Sequence, residues 1–352
     1  MDVAVWSHYF QSIDVQRFSD YVGGTSGLCR SAFSLKKKKN IMVNSVMYMA
    51  EDVLVLAPEG TRVFLPVALF NRNDVKRIYR PRCPMIVSQN GSVTVEMDVI
   101  KKAVAKYPVP SGVYINTPIT IKAMEEISFA YNASKGIDIV KDFKKEYDII
   151  NLFGDENVNS YIAWQTGMKV NSFPHGCVCP THVAIPPEDV IFLYEELIEQ
   201  HGESKVGVIL HTEVSPALRD WGMEIGAVIG DSSYMYECIQ DGKESVWIVA
   251  TERGLYEKIA ADFTDKVFHY AGKACPNMKF ITVRKIKEAL HHLKQDRIAG
   301  TCYISSDGYE VELNGVDLVK KTGDMETVSP LEIVIDEDVR ERARNTLKYL
   351  VE

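Results

Sequence analysis

No stretch of the 352-residue sequence approaches the apolar length needed to cross a bilayer. The opening Asp2-Val-Ala-Val-Trp6 carries no basic region and reads as a strand, so neither a secretory leader nor a membrane anchor is expected. Basic charge is in deficit. The formal net charge is −8, which argues against nucleic acid as the main partner. Lys36–Lys39 forms a short basic block, and a run of that length reads as a solvated helix end or loop. Cysteine is sparse and odd in number, seven in all, which does not suit a disulfide framework in a chain without a leader. A cytoplasmic protein is expected, where clustered thiols serve as metal ligands or catalytic groups. A full Gly-x-Gly-x-x-Gly after a strand is also missing, so nucleotide binding has little support.

What is present is an ordinary globular composition, 46% hydrophobic and 25% charged, with apolar material for several cores. The length suggests two or three domains. Internal repetition then organises the chain. Arg62-Val-Phe-Leu-Pro66 leads to Cys83, Lys169-Val-Asn-Ser-Phe-Pro174 leads to Cys177 and Cys179, and Lys266-Val-Phe-His-Tyr270 leads to Cys275. The intervals are equal, since 179 − 83 and 275 − 179 are both 96.

Three apolar runs that end in a polar ring or amide share the same register: Ala4–His8, Gly112–Asn116 and Gly207–His211. They read as buried strands of parallel sheets. Helical stretches follow near 13–21, 120–127 and 215–222. Small-residue turns come next, at Gly23–Ser26, Tyr131–Ser134 and Gly230–Ser233, and resemble helix N-termini that cap themselves or bind an anion. Second strands are expected at 41–43, 149–153 and 246–250.

This alternation predicts parallel sheets with right-handed crossovers. The expected fold is α/β: three small parallel-sheet sandwich domains of about 95–110 residues, related by a pseudo-threefold axis around a central site. The boundaries are 1–90, 91–183 and 184–295, with an inserted hairpin region at 296–335. Helices at 97–107 and 187–200 precede the first strand of the second and third repeats. The first repeat has no such helix, and the amphipathic stretch 336–351 is expected to return and fill the vacancy. The hairpin within 300–328 reads as decoration, with Cys302 structural.

Ligands of open α/β sheets bind beyond the carboxyl ends of the strands. Three such units about one axis would bring Cys83, one of Cys177 and Cys179, and Cys275 to a common point. Three thiolates without a fourth suit a 4Fe–4S cluster in which one iron lacks a protein ligand, an open Lewis acid for dehydration or condensation. Two other readings compete. Each cysteine alone could be a small buried hydrophobe, and Cys179-Pro-Thr-His182 could complete a Cys₃His zinc site.

Ser7-His-Tyr9, Tyr114-Ile-Asn-Thr117, Gly176-Cys-Val-Cys-Pro-Thr-His182, His211-Thr-Glu213, Thr251-Glu-Arg253 and Cys275-Pro-Asn-Met-Lys279 occur in one order along the chain. Met49-Ala-Glu-Asp52 and Arg82-Cys-Pro-Met85 support them. In these pieces the sequence resembles the quinolinate synthase family, from Val5 to about Leu290 and again in the terminal helix. The resemblance implies a divergent member: a three-domain enzyme with a 4Fe–4S cluster on Cys83, Cys179 and Cys275. Cys179 is preferred over Cys177 on the spacing and the Cys-x-x-His pattern. In that family iminoaspartate condenses with dihydroxyacetone phosphate, phosphate leaves, and water is lost as the pyridine ring of quinolinate closes.

By position, the resemblance makes Glu213 the general acid/base. His8, His182 and His211 would hold substrate oxygens or move protons, and Tyr114 and Asn116 would contact substrate. Thr25, Asn132, Asp231 and Ser232 are the remaining expected substrate contacts.

The chain departs from the family pattern at Phe10, Gly24-Thr25, Phe129-Ala130 and Asp231-Ser232, where hydroxyls are lost or a carboxylate is gained. These departures imply retained cluster chemistry with rebuilt substrate recognition. Two alternatives follow: a paralogue acting on another imine and carbonyl pair in heterocycle biosynthesis, and a non-catalytic iron–sulfur sensor. Small-molecule partners, an amino-acid imine and a triose phosphate or analogue, are expected, with no nucleic acid and no membrane.

Overall fold

The computed structural model describes residues 2–72, 75–83, 95–313 and 327–351. Pro84 and Met85 of the supporting motif, and 314–326 of the expected insertion, lie outside these residues. The chain divides into two compact units, one of Met1–Cys83, Pro118–Glu125 and Asn277–Glu352, the other of Pro84–Thr117 and Glu126–Pro276. Among the described residues no helix is long and apolar enough to cross a membrane.

Sixteen strands are present among the described residues. In chain order they are β1 (Ala4–His8), β2 (Tyr21–Gly23), β3 (Asn40–Asn44), β4 (Arg62–Arg72), β5 (Val75–Tyr79), β6 (Ser111–Tyr114), β7 (Phe129–Tyr131), β8 (Ile149–Phe153), β9 (Lys169–Phe173), β10 (Val206–His211), β11 (Val228–Gly230), β12 (Val246–Ala250), β13 (Val267–Tyr270), β14 (Gly300–Ser305), β15 (Gly308–Leu313) and β16 (Thr327–Ile335). They form three sheets. The second unit holds two four-stranded parallel sheets, ordered β7-β6-β8-β9 and β11-β10-β12-β13. The first unit contains the same parallel core, β2-β1-β3-β4.

The sequence pattern explains these cores. β12 reads Val-Trp-Ile-Val-Ala and is buried along its whole length, as a strand covered on both faces must be. The three short first runs end at one station: His8 pairs with Gly23, Tyr114 with Tyr131 and His211 with Gly230. The next backbone N–H then donates to that partner's carbonyl in all three, from Tyr9, Ile115 and Thr212 at 3.0, 2.8 and 3.1 Å.

The small-residue turns start helices, as expected. Asn132 caps Ala133–Phe143 by accepting the Lys135 N–H, and Asp231 caps Ser232–Asp241 by accepting from Ser233 and Tyr234. Each satisfies backbone donors that the first helical turn leaves open.

The C-terminal hairpin is not decoration. β14 and β15 pair antiparallel, β14 runs parallel to β16, and β16 lies antiparallel on β4. The first sheet therefore grows to eight strands with β5 on β4. The pairing partner is far away in sequence, which is why local pattern alone read the segment as an appendage. Cys302 on β14 is fully buried.

The terminal helix Glu337–Leu347 packs on helices Met47–Leu56 and Ile119–Lys122. Arg340 donates to the Leu54 and Ala57 carbonyls at 3.3 and 2.9 Å, supplying acceptors at a helix end with donors. Beneath it, Lys122 and Asp52 form a fully buried ion pair at 2.6 Å. Among the described residues, one apolar cluster lies in the first unit and another in the second, around β10 and β12. Val5, Met42, Phe64, Ile286 and Leu293 belong to the first, and Val208, Leu210, Leu218, Val246 and Ile248 to the second.

Candidate active site

In the second unit, strand ends from two sheets supply one buried polar cluster. Tyr114 ends β6 and His211 ends β10. Glu213 follows two residues later, and its carbonyl accepts from the Asn157 side chain at 3.3 Å. The Tyr114 hydroxyl donates to Glu213 Oε1 at 2.8 Å, and Asn116 approaches the same oxygen at 3.5 Å. His182 lies on the short helix Pro180–Val183 that follows Cys179. Its Nδ1 is 2.8 Å from Glu213 Oε2 and 3.3 Å from Cys179 Sγ, and its Nε2 is 3.1 Å from Thr251 Oγ1. The His182 and His211 rings stack at 4.0 Å, 8° apart.

Burial would push the Glu213 carboxyl up. The charge of His211, whose Nδ1 is 3.6 Å away, the His182 contacts and the Tyr114 hydroxyl outweigh it and bring it down to about 2. Asp155 moves the other way. Burial, and then the Glu213 charge, raise it well above the carboxylate range despite backbone donors from Val158 and Cys179. Cys179, His182 and Glu213 are all buried and offer one sulfur, one nitrogen and one oxygen within 4.8 Å of one another, an arrangement able to hold a metal ion.

Sequence reasoning missed two carboxylates that hold the thiol loops. Asp155 caps helix Glu156–Thr166 through Val158 N–H and also accepts the Cys179 N–H at 2.9 Å. Glu252 caps Arg253–Asp262 through Gly254 N–H and accepts the Cys275 N–H at 3.0 Å. An acid two residues after a buried strand and directly before a helix was the available signal, as an N-cap.

The residue two before each thiol also pairs with the head of the preceding helix. Pro81 accepts from Met47 N–H at 2.8 Å, Cys177 accepts from Glu156 N–H at 2.7 Å, and Lys273 bridges Glu252. Cys83, Cys179 and Cys275 thus hold one local station in three sheets. Their residual exposures are 9%, 8% and 9%, whereas Cys177, Cys29 and Cys302 stand at 1%, 1% and 0%. None of the seven cysteines is in a disulfide.

The other expected contacts are placed as follows. In the first unit His8 ends β1, with Thr25 Oγ1 3.5 Å from its Nε2 and the Phe10 ring edge-on at 4.7 Å. In the second unit Asn132 and Asp231 sit one residue beyond the partners of Tyr114 and His211. Asp231 Oδ2 accepts from Asn132 at 2.9 Å and from Ser134 at 2.6 Å, while Oδ1 accepts from Ser233 and Tyr234 N–H. Ser232 opens the helix that follows and is buried.

The likeness set Phe129 and Ala130 against hydroxyl-bearing turn residues of the family, but here they are not in the turn. They lie in β7, and Phe129 is fully buried, stacked on Phe143 at 5.0 Å. A Cβ on Gly112 would come within 2.3 Å of the Phe129 ring, so that glycine makes room for it. The turn position belongs to Asn132-Ala133.

Comparison with known proteins agrees with the resemblance. Residues 1–306 match the family described as quinolinate synthetase A protein. Quinolinate synthase of Fusobacterium nucleatum is 30% identical over 82% of this chain and 86% of its own length. Quinolinate synthase of Desulforudis audaxviator is 28% identical over 82% and 86%. Quinolinate synthase 2 of Methanosarcina acetivorans is 26% identical over 83% and 84%. The chain belongs to the quinolinate synthetase A family, a family of enzymes.

Proposed function

We propose that this protein forms quinolinate from iminoaspartate and dihydroxyacetone phosphate, on a 4Fe–4S cluster held by Cys83, Cys179 and Cys275. The reading rests on family membership and, above all, on the shared local station of the three thiols, each retaining the same slight exposure. The donor set fits such a cluster, because three thiolates suit it while leaving one iron without a protein ligand. When bound, the cluster supplies that iron as a Lewis acid toward a substrate hydroxyl or carboxylate. The three repeats, with the first completed by the C-terminal helix, would each contribute one thiol.

The chain's own residues orient substrate and move protons. Glu213 is ionised at neutral pH and therefore accepts only, so His182 Nδ1 donates to it and Thr251 meets the opposite ring nitrogen. A carboxyl near 2 is a weak base for work near neutrality. Tyr114 turning its hydroxyl to a substrate oxygen takes one donor from Glu213 and raises the carboxyl from that low value. Glu213 then takes a proton from the condensing carbon or nitrogen and returns it to a departing hydroxyl, with His182 fixing its orientation. Tyr114 and Asn116 hold substrate oxygen beside the carboxylate. His8, His211 and Thr25 are assigned to substrate oxygens by the same reading.

One observation favours a second reading, a paralogue for another imine and carbonyl pair. The N–H groups at the head of helix Ser232–Asp241, which would otherwise attract phosphate or carboxylate, are taken by Asp231's own carboxylate.

Anaerobic purification with iron and sulfide analysis, followed by assay for quinolinate, decides between these readings. About four irons per chain with quinolinate formed supports the leading one. A cluster without quinolinate supports the paralogue, and Asp231→Ser is then expected to gain affinity for phosphorylated substrates. Zinc without labile sulfide overturns both.

A further inference from the structure

The second and third thiol loops are held by a carboxylate that caps the neighbouring helix and also takes the cysteine N–H. In the first loop, the position equivalent to Asp155 and Glu252, directly before helix Met47–Leu56, is Val46, whose side chain offers no acceptor, and that helix lacks a side-chain cap. Yet every residue from Tyr79 to Arg82 is tied down. The Tyr79 hydroxyl donates to Asn277 Oδ1 at 3.0 Å, and its ring packs on Phe280 at 4.6 Å. Arg80 donates to Cys302 Sγ at 3.2 Å. Pro81 accepts from Met47 N–H. The Arg82 guanidinium lies over the Tyr309 ring at 5.9 Å.

Two of these four anchors belong to the β14–β15 hairpin. Tyr309 reaches further. Its hydroxyl donates to Glu51 Oε2 at 3.2 Å, and that oxygen also accepts Ile119 N–H at 3.0 Å. Glu51 is itself buried in the helix whose first N–H binds Pro81. The hairpin thus grips the Cys83 segment directly through Arg80 and Arg82, and indirectly through the helix that Pro81 caps. Tyr309 lies beyond the residues the family model matches, which end at 306.

We infer that the C-terminal hairpin is a device that positions Cys83, with Tyr309 as its main positioning residue. The meaning of that placement, three thiols poised for one cluster, rests on the function proposed above. The contacts do not.

The test uses the full-length, metal-free, reduced protein and iodoacetamide, with the alkylation rate of each cysteine followed by peptide mass spectrometry. Tyr309→Ala is expected to raise the Cys83 rate about tenfold, the scale of losing one net hydrogen bond and a ring contact in local opening. The rates at Cys179 and Cys275 should stay within about twofold. Tyr309→Phe, which keeps the ring under Arg82, should recover part of the protection. A general loss of structure would raise all cysteines together and lower the melting temperature, and that outcome would overturn a positioning role. An unchanged Cys83 rate would overturn it as well. Should Tyr309→Ala not fold, Tyr309→Phe and Arg82→Met decide by the same criterion. Because no metal is present, the positioning can hold while the cluster assignment fails, and iron analysis of the wild type reports the latter separately.

Discussion

Replacing Glu213 by glutamine removes the charge at the centre of the buried cluster while keeping its shape. The amide oxygen can still accept from Tyr114, and the amide nitrogen can donate to His182 Nδ1 if that ring shifts its proton to Nε2, which faces Thr251. The fold should therefore survive. The carboxyl's fall from 4.5 to about 2 corresponds to about 3 kcal/mol of stability at most.

The retained hydrogen bonds leave an expected loss near 1–3 kcal/mol, a melting shift of roughly 5 °C. The sign follows from the depressed value. The contribution is complete above about pH 4.5 and disappears as the pH falls toward 2, so in metal-free protein the variant should show a flatter acid unfolding profile than the wild type. Turnover should fall by about 10²–10⁴, the usual worth of a positioned acid/base. The assay is steady-state quinolinate formation on protein with matched iron and sulfide content. Turnover within tenfold of wild type at full cluster content would refute the role given to Glu213.

Cys179→Ser should lose most bound iron while Cys177→Ser keeps it, because only Cys179 shares the station and exposure of Cys83 and Cys275; iron analysis after anaerobic purification reads this directly. Lys122→Met leaves Asp52 buried without its partner and should cost about 3–5 kcal/mol in a denaturant melt. Burial already raises Asp52 to about 7 against the pull of Lys122, so that loss should deepen as the pH rises and shrink in acid, where the carboxyl is neutral.

Much of this protein is legible in one sequence. Buried runs such as Val246–Ala250, polar residues at strand ends and small capping turns are short-range signals, set by burial on both faces and by donors left open at helix starts. Repetition of those signals singled out Cys83, Cys179 and Cys275 as candidate ligands, with Cys179 preferred to Cys177. It also carried the family likeness.

Other features depend on residues far apart in sequence. Tyr114 meets Glu213, and Asn132 meets Asp231, each across 99 positions, because two sheets in the second unit bring their strand ends together. No local pattern encodes that distance. The same holds for Asp231, whose charge looked available from sequence yet accepts four hydrogen bonds in the fold.

The C-terminal hairpin gives the clearest case. β15 alternates polar and apolar residues as any edge strand does. Only the pairing of β16 on β4 turns it from an appendage into a neighbour of Arg80 and Arg82, just before Cys83. Sequence determined the repeated units and their reactive groups through local physics. Tertiary structure decided which of those groups touch, because register and packing between distant strands are set by the whole core at once.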